Sequence, residues 1–379
     1  MTTPFRAIRL TIPILLLLPS LNAVSAAALP KTPPPAGLGT YLKQEMTDRH
    51  IPGMQVAVAR RGKIIFARGF GLADVEHRIP VTDDTVFPIA SITKAFTGVA
   101  LMQLVESGKL DLEAPVSRYL DGLPPPWQAV TVKQLATHTS GLPEIMNSAS
   151  ARLIVDGDPE ASWAKVQTLP IQFSSGERFS YNQTNYLLLG KIIDKLSGEP
   201  FTQFVKERQL DVARLQHTLY ADDRDIVLNS AQTYTFMRVC KKDARQSDEL
   251  CKVHLEFPDF LRTIAGLNST AQDLAGWIIA LQHGDLLDKT SLELLWTPAQ
   301  LNDGKLGPWV IGWPVAPRPT HRVYMPTGGG KAAIGVYPDD DLAVIVLTNL
   351  SWEEPMQMVD GVAAYYIPDM RSERSDQRH

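Results

Sequence analysis

The order of apolar and polar positions divides the chain into strands near both ends and helices in the middle. Two apolar segments, residues 55–59 and 63–67, flank the turn sequence Arg60-Arg61-Gly62 and predict a β-hairpin. Helical spacing then predicts helices at 91–107, 131–137, 185–196, 202–210 and 270–283. Strand composition returns at 309–313, 323–325, 332–337 and 342–347, before a last predicted helix at 354–366.

The two groups of strands can pair in one sheet, and the helical region then becomes an insertion. The predicted fold class is therefore α+β, with an antiparallel sheet built from both chain ends and flanked by helices. The domain is predicted at residues 38–369, with an α/β part at 38–88 and 305–369 and a helical part at 89–304. A Pro-rich linker is predicted at 27–37 and a disordered tail at 370–379.

The N-terminus has the three-part pattern of a secretory signal peptide. Arg6 and Arg9 precede a short apolar run at residues 10–18, and small residues follow up to Ala26. The run is too short to span a bilayer, so a signal peptide at 1–26 and a periplasmic or secreted protein without a stable membrane anchor are predicted. A retained membrane anchor is the alternative.

Composition narrows the function classes. Apolar residues make up 44% of the chain, charged residues 21%, and the net charge is -4, which is typical of a soluble globular protein and gives no reason to expect a nucleic-acid partner.

Cys240 and Cys251 share one polar segment and form a candidate disulfide in an oxidising compartment, the alternative being two unpaired thiols. No metal site and no cofactor are predicted, because no cluster shows ligand spacing.

Ser91 and Lys94 are the first candidate catalytic residues. Three positions apart at the start of an apolar helix, they share one face, so the Lys94 amine can take the proton of the Ser91 hydroxyl. The same spacing recurs at Ser162 and Lys165, which are interpreted as an exposed helix start without function. A buried helix start with an extended lysine is the alternative reading of Ser91 and Lys94.

Two further segments carry chemistry that would complete such a site. Tyr181 lies between a turn and an apolar helix, where a phenol can act as a proton shuttle or can simply be half-buried. Thr327-Gly328-Gly329-Gly330 follows a predicted strand, and successive glycines let backbone N–H groups approach a ligand. A flexible hairpin turn is the alternative.

Other short motifs occur in a fixed order along the chain. They are Ile51-Pro52-Gly53, Gly69-x-Gly71-x-Ala73-Asp74, Leu135-Ala136-Thr137-His138-Thr139-Ser140-Gly141-Leu142-Pro143, Gly266-Leu267-x-Ser269-Thr270-x-x-Asp273-Leu274 and Val346-Leu347-Thr348-Asn349. Together with Ser91-x-x-Lys94, Tyr181 and Thr327-Gly328-Gly329, they make the chain similar to the serine hydrolases that include class C β-lactamases, D-alanyl-D-alanine carboxypeptidases and related esterases. The resemblance covers roughly residues 38–364 and implies the β-lactamase/transpeptidase-like fold.

The resemblance implies a role for each matching residue. Ser91 would be the acylated nucleophile, Lys94 would activate it, and Tyr181 would pass the proton to the leaving group. The N–H groups of Ser91 and Gly329 would form the oxyanion hole, while His138 would belong to a structural turn. The implied substrate-binding residues are Gln183, Thr327 and Gly328.

Two positions depart from the family pattern. Pro326 stands where the family usually has Lys or His, and it supplies neither a cation nor a backbone donor. Gln183 stands where the family has Asn, which lengthens the amide by one methylene. Both changes weaken recognition of an amide substrate with a carboxylate, and Lys331 is a candidate for supplying the missing cation.

The predicted function is an exported serine hydrolase that forms an acyl-enzyme on Ser91, as an esterase or a weak D-amino-acid peptidase. Its partner would be a small-molecule ester, amide or peptide. The alternative is a catalytically impaired binding protein on the same scaffold that recognises peptidoglycan or peptide fragments. A class C-type β-lactamase is the third reading.

Overall fold

The computed structural model describes residues 33–147, 152–236, 249–254, 256–318, 320–353 and 355–370. The predicted signal peptide, most of the predicted linker and tail, and Cys240 lie outside the described residues. The pairing of Cys240 with Cys251 therefore stays a prediction. Within the described ranges, no helix is both long enough and apolar enough to cross a membrane.

The described chain has strands near both ends and helices in the middle, as predicted, but it adds helices at Leu38–Asp48 and Lys289–Leu295 and several short strands. The helices are α1 (Leu38–Asp48), α2 (Thr93–Glu106), α3 (Val132–Ala136), α4 (Pro159–Gln167), α5 (Gln183–Ser197), α6 (Phe201–Val205), α7 (Ala271–His283), α8 (Lys289–Leu295) and α9 (Met356–Ala363). The strands are β1 (Gly53–Arg60), β2 (Lys63–Asp74), β3 (Ile79–Pro80), β4 (Phe87–Pro88), β5 (Met146–Asn147), β6 (Arg152–Leu153), β7 (Leu219–Tyr220), β8 (Tyr234–Thr235), β9 (Cys251–Lys252), β10 (Leu267–Ser269), β11 (Val315–Ala316), β12 (Val323–Tyr324), β13 (Thr327–Gly328), β14 (Ala332–Tyr337) and β15 (Leu342–Thr348).

The main sheet joins the two ends of the chain. Its order is β11-β12-β14-β15-β1-β2-β3, with β13 pairing β14, and its pairings are antiparallel. The register of β1 on β15 runs from Met54 opposite Thr348 to Arg60 opposite Leu342. The predicted hairpin is confirmed, and its turn uses positive φ values of 51° at Arg61 and 70° at Gly62. This is the α+β architecture expected from the sequence.

Apolar layers cover both faces of the central strands. Met54, Val56 and Val58 of β1 pack on one face with residues of α1 and α9. Ala57 and Ala59, which point to the other face, join the larger core with residues of α2, α5 and α7. Because both faces are buried, the sequence of β1 is almost continuously apolar. The helical region is thus packed against one face of the sheet.

The predicted strand at 309–313 is wrong. The chain there turns back on itself, with Gly312 at a φ of 86°, and the next strand begins at Val315. A Cβ on Gly312 would lie 2.5 Å from the Lys94 carbonyl oxygen and 3.0 Å from the Gly98 Cα, so this turn is pressed against α2. Its apolar composition reflects burial against the helix and not strand pairing.

Candidate active site

Ser91 lies in a 3₁₀ turn, Ala90–Ile92, that leads directly into α2. The preceding residue, Ala90, has a φ of 46°, which is a strained conformation for a residue with a Cβ. The turn places the half-buried Ser91 side chain at the helix start, where backbone N–H groups have no partner within the helix. The positive end of the helix faces the same point.

Lys94 lies beneath Ser91 and is completely buried. Its Nζ is 3.2 Å from Ser91 Oγ and donates to the Ile264 carbonyl oxygen at 3.1 Å. The rings of Tyr181 and Tyr186 cover it, with centroids 4.8 Å and 5.4 Å from Nζ. The amine is therefore held in contact with the hydroxyl and excluded from water.

Burial lowers the pKa of Lys94, and the nearby Tyr181 phenol and Glu144 carboxyl oppose that shift only in part. A lowered pKa increases the neutral fraction of the amine at neutral pH. Only the neutral amine can accept a proton, so the surroundings of Lys94 favour a base and not a fixed cation.

Tyr181 completes a triangle of polar groups. Its phenol donates to Ser91 Oγ at 3.0 Å, while the side chain is 38% exposed. The ring packs on His138, with centroids 4.6 Å apart, and on Trp309 at 5.5 Å. The phenol is thus partly open to solvent, while the buried His138 ring and the half-buried Trp309 ring fix its direction.

His138 supports this arrangement from behind. It is fully buried with a φ of 58°, and its Nδ1 accepts a hydrogen bond from the Asn182 N–H at 3.1 Å. Burial, helped by the Lys94 charge, lowers the pKa of His138 well below its ordinary value, so the imidazole is neutral. Its carbonyl oxygen also accepts from the Ser180 N–H at 2.9 Å, so His138 ties its own segment to the loop of Tyr181, which fits the structural role expected for it.

Glu144 is a site residue that sequence reasoning missed. Its two carboxylate oxygens accept hydrogen bonds from the backbone N–H groups of Met146 at 3.0 Å and Gln183 at 2.8 Å. Burial raises the pKa of Glu144, and its charge acts on Lys94. A single Glu after a Gly-Leu-Pro turn carries no sequence signal, because its position depends on the fold of α5.

Gln183 is the first residue of α5, directly after the loop of Tyr181. Asn182, not Gln183, caps the helix by accepting from the Asn185 N–H at 3.1 Å. The Gln183 side-chain oxygen is buried without a hydrogen-bond partner among the described residues. An unsatisfied acceptor of this kind is costly unless a ligand or water donates to it.

The predicted glycine segment lies against Ser91. Thr327 and Gly328 form β13 beside β14, and Gly329 and Gly330 turn the chain with φ values of 58° and 61°. A Cβ on Gly328 would lie 1.9 Å from the Ile89 carbonyl oxygen and 3.1 Å from the Ser91 nitrogen. Only glycine permits this approach, which brings the strand end and the serine turn together.

Pro326 precedes β13, and its carbonyl oxygen accepts from the Ile334 N–H of β14 at 3.0 Å. The N–H and C=O of one strand residue point to the same side, so the donor that proline lacks would have faced β14 and not the cleft. Lys331 is buried, and its amine donates to Thr233 Oγ1 at 3.1 Å. The compensating role suggested for Lys331 stays a prediction.

The second Ser-x-x-Lys sequence is not the exposed pair that we expected. Ser162 is fully buried within α4, and its hydroxyl bonds the backbone N–H and C=O of Val155, both at 3.0 Å. Lys165 is exposed, on the outside of the helix. The hydroxyl therefore supports a loop, and the two side chains do not form a base–nucleophile pair.

One group of potential metal ligands occurs in the described part of the chain. Asp74, Glu76 and His77 place one ligand atom each within 4.8 Å of one another. Asp74 already bonds His77 at 2.8 Å, and Glu76 pairs with Lys252. These groups satisfy one another at the surface, so the cluster gives no support for a metal centre.

Comparisons with known proteins identify the family of this chain. Residues 38–364 match the protein family described as Beta-lactamase. The chain is 28% identical over 333 residues to penicillin-binding protein 4* of Bacillus subtilis (strain 168), covering 81% of this chain and 70% of that protein. It is 29% identical over 187 residues to protein flp of Staphylococcus aureus (strain MW2), covering 48% of this chain but only 38% of flp. The structure of the octameric penicillin-binding protein homologue from Pyrococcus abyssi is 27% identical, with a TM-score of 0.72 over 89% of this chain and 80% of that chain.

Proposed function

Because this chain belongs to the β-lactamase family, whose members are serine hydrolases, we propose that it hydrolyses small esters or D-amino-acid peptides through an acyl-enzyme on Ser91. The observation that carries the proposal is the triangle at Ser91 Oγ, with Lys94 Nζ at 3.2 Å and the Tyr181 hydroxyl at 3.0 Å. A nucleophile between a buried amine and a phenol is the arrangement that general-base activation requires.

The first step transfers a proton and forms one bond. Neutral Lys94 takes the Ser91 proton, and Oγ attacks the substrate carbonyl carbon. The tetrahedral oxyanion then accepts hydrogen bonds from the N–H groups of Ser91 and Gly329, each worth about 3 kcal/mol in such sites. The contact of Gly328 with the Ser91 backbone supports this pairing.

The second step releases the leaving group. The Tyr181 phenol, 3.0 Å from Ser91 Oγ on a partly exposed side chain, gives its proton to the departing alcohol or amine. Water then attacks the acyl-enzyme carbonyl while the Tyr181 phenolate takes a proton from it. The bond to Ser91 Oγ breaks, and Lys94 returns the proton to Oγ, which restores the starting state. The unsatisfied Gln183 oxygen supports a role for that side chain, together with Thr327 and Gly328, in binding the substrate.

Intact-mass spectrometry of the mature protein tests the proposal. The protein is treated separately with a fluorophosphonate and with a penicillin, and the Ser91→Ala variant is the control. We expect one fluorophosphonate adduct that disappears in the variant. Labelling by fluorophosphonate alone supports the esterase, and a stable penicillin adduct or its hydrolysis supports the β-lactamase. A folded sample without any adduct contradicts the hydrolase.

A binding protein with impaired catalysis is the second candidate, and Pro326 is the observation that favours it. No cation stands before Thr327 to hold a substrate carboxylate. Replacing Pro326 by His discriminates the two. A large gain in turnover means that the native site is degraded, whereas unchanged turnover means that its reaction needs no cation there.

We also propose that residues 1–26 direct export and are then removed, as the pattern of Arg6, the apolar run and Ala26 indicates. The division into an α/β part and a helical part at residues 88/89 and 304/305 is proposed with it. Mass spectrometry of the secreted or periplasmic fraction of expressing cells checks the cleavage site. A full-length mass in the cytoplasm contradicts export.

A further inference from the structure

Trp352 is an exposed aromatic side chain in an unusual backbone conformation beside the glycine turn. Its side chain is 60% exposed, and its φ is 75°. The left-handed region is common for Gly and tolerated by Asn, but a bulky residue there is a genuine outlier. Such strain persists only where neighbouring structure imposes it, and it clusters at sites of function.

Close contacts hold Trp352 in place. A Cβ on Gly330 would lie 2.6 Å from the Trp352 Cα and 2.7 Å from its nitrogen, so the two backbones touch. On either side of the tryptophan, the Glu353 N–H donates to the Gly330 carbonyl oxygen at 2.8 Å, and the Ser351 N–H donates to the Tyr234 carbonyl oxygen at 2.9 Å. The exposed indole is therefore carried on a fixed backbone.

The position of this backbone links it to the reaction. Gly330 directly follows Gly329, which is proposed to bind the oxyanion, and the Cβ position of Gly329 lies 3.4 Å from the Ala90 Cβ beside Ser91. The described chain has other exposed apolar side chains, such as Ile79, which is 51% exposed. Ile79 lies on β3, an edge strand separated from β14 by β15, β1 and β2. Trp352 differs from Ile79 because it is attached to the turn that borders the nucleophile.

We propose that Trp352 is a specificity residue that binds a flat or extended apolar group of the substrate, either the acyl chain or the alcohol. This inference rests on the proposed hydrolase function. A rigid indole offers a large apolar face at a low entropic cost, and it selects by stacking rather than by charge. The preferred substrates are then aryl or long-chain esters, and not small polar ones.

Steady-state kinetics on two ester series test the inference. The acyl arm compares p-nitrophenyl acetate with p-nitrophenyl octanoate, and the alcohol arm compares methyl acetate with 2-naphthyl acetate. In Trp352→Asn, which removes the indole but suits a positive φ, we expect kcat/KM to fall about tenfold for the larger member of one series through KM. The arm that responds identifies which group of the substrate meets the indole.

Three controls separate specificity from structure. Trp352→Phe keeps an aromatic face and should retain most of the preference, while Ile79→Ala removes an exposed apolar side chain far along the sheet and should change nothing. The melting temperature of Trp352→Asn should equal or exceed that of the wild type, because Asn relieves the strain. Equal losses on small and large esters, or no loss on either, would overturn the inference. Failure of the hydrolase itself is recognised separately, since wild-type protein would then take no fluorophosphonate.

Discussion

Lys94 illustrates how one buried side chain decides the chemistry of the site. Its pKa is lowered by burial, so the neutral amine that can activate Ser91 is available below the pH at which an ordinary lysine loses its proton. We therefore expect the rate of fluorophosphonate labelling to rise with pH and to level off below about pH 10.

The matched variant for this prediction is Lys94→Arg, which keeps a cation but cannot give up its proton. Labelling of Lys94→Arg should fall about 10³-fold at every pH, within the usual range for loss of a general base. Stopped-flow or time-resolved mass measurements from pH 6 to 10 give the profiles. Wild-type labelling that follows an ordinary lysine titration, or full activity of the Arg variant, contradicts the role of Lys94.

Lys331 is a second buried lysine, and its burial changes the stability of the folded protein. Burial lowers the pKa of Lys331 to about 7, with the Asp223 charge opposing the shift. The unfolded chain then binds more protons than the folded one between about pH 7 and pH 10, so the free energy of unfolding rises with pH across that window. At about 1.4 kcal/mol per pH unit, the lowered pKa makes the free energy of unfolding at pH 7 a few kcal/mol smaller than it would be with an unshifted Lys331.

Lys331→Met should therefore stabilise the protein at pH 7 by a few kcal/mol, and the difference from wild type should shrink toward pH 10. Urea unfolding at pH 7, 8.5 and 10 measures both curves. A Met variant that is less stable than the wild type at pH 7 would mean that the bond from Lys331 to Thr233 outweighs the cost of burying the charge.

At the scale of single residues, the sequence predicted what depends on local spacing. Spacing predicted the contact of Lys94 with Ser91, whereas only the family resemblance implied that Tyr181 joins them; the three side chains meet in space, and their roles stay predictions. Glu144 and the strained Trp352 could not be found, because each owes its environment to a segment far away in the sequence: Glu144 to the start of α5, and Trp352 to the turn at Gly330.

Among the elements, the short strand β13 controls the geometry of the proposed oxyanion hole. Gly328→Ala would place a methyl group 1.9 Å from the Ile89 carbonyl oxygen, so β13 would have to move away from Ser91 by about 1 Å or more to restore ordinary contact. A displacement of that size should slow fluorophosphonate labelling about 100-fold.

Gly329→Ala is the control for this prediction. Its methyl group would meet the Ala90 Cβ at 3.4 Å, an ordinary contact, although its φ of 58° costs about 1 kcal/mol for Ala. We expect labelling of this variant to stay within about tenfold of wild type, because the strand need not move. Equal labelling rates in the two variants would show that the approach of Gly328 to Ser91 is not critical.

The elements also show where patterns fail. The predicted hairpin and the longer helices are present because each has a strongly apolar sequence and a local stop signal, such as Gly198 after α5 at a φ of 79°. Residues 309–313 have strand composition, yet they turn against α2 because Gly98 and Gly312 allow the two backbones to touch. The apolar composition of this segment therefore indicates burial, and the two glycines allow it to form a turn and not a strand.

In the whole molecule, Asn349 joins the two ends of the chain. It follows β15, and its side-chain oxygen accepts from the Gly53 N–H of β1 at 2.8 Å. Its amide donates to the carbonyl oxygens of Leu72 at 2.9 Å and Ala73 at 3.3 Å in β2. The sequence predicted that both ends share one sheet, but not that one side chain directly after β15 would bond both β1 and β2.

Asn349→Ala should lower the free energy of unfolding by about 3 kcal/mol, because the substitution leaves a buried N–H and a buried C=O without partners. The matched control is Asn302→Ala, since the exposed Asn302 amide also donates to a backbone carbonyl, that of Ser175, at 3.0 Å. Its loss should cost less than about 0.5 kcal/mol, as water replaces the bond. Urea unfolding of both variants measures the difference, and fluorophosphonate labelling of the folded fraction should be unchanged in each. Equal destabilisation of the two variants would mean that Asn349 does not connect the chain ends, and that strand pairing alone holds β1 against β15.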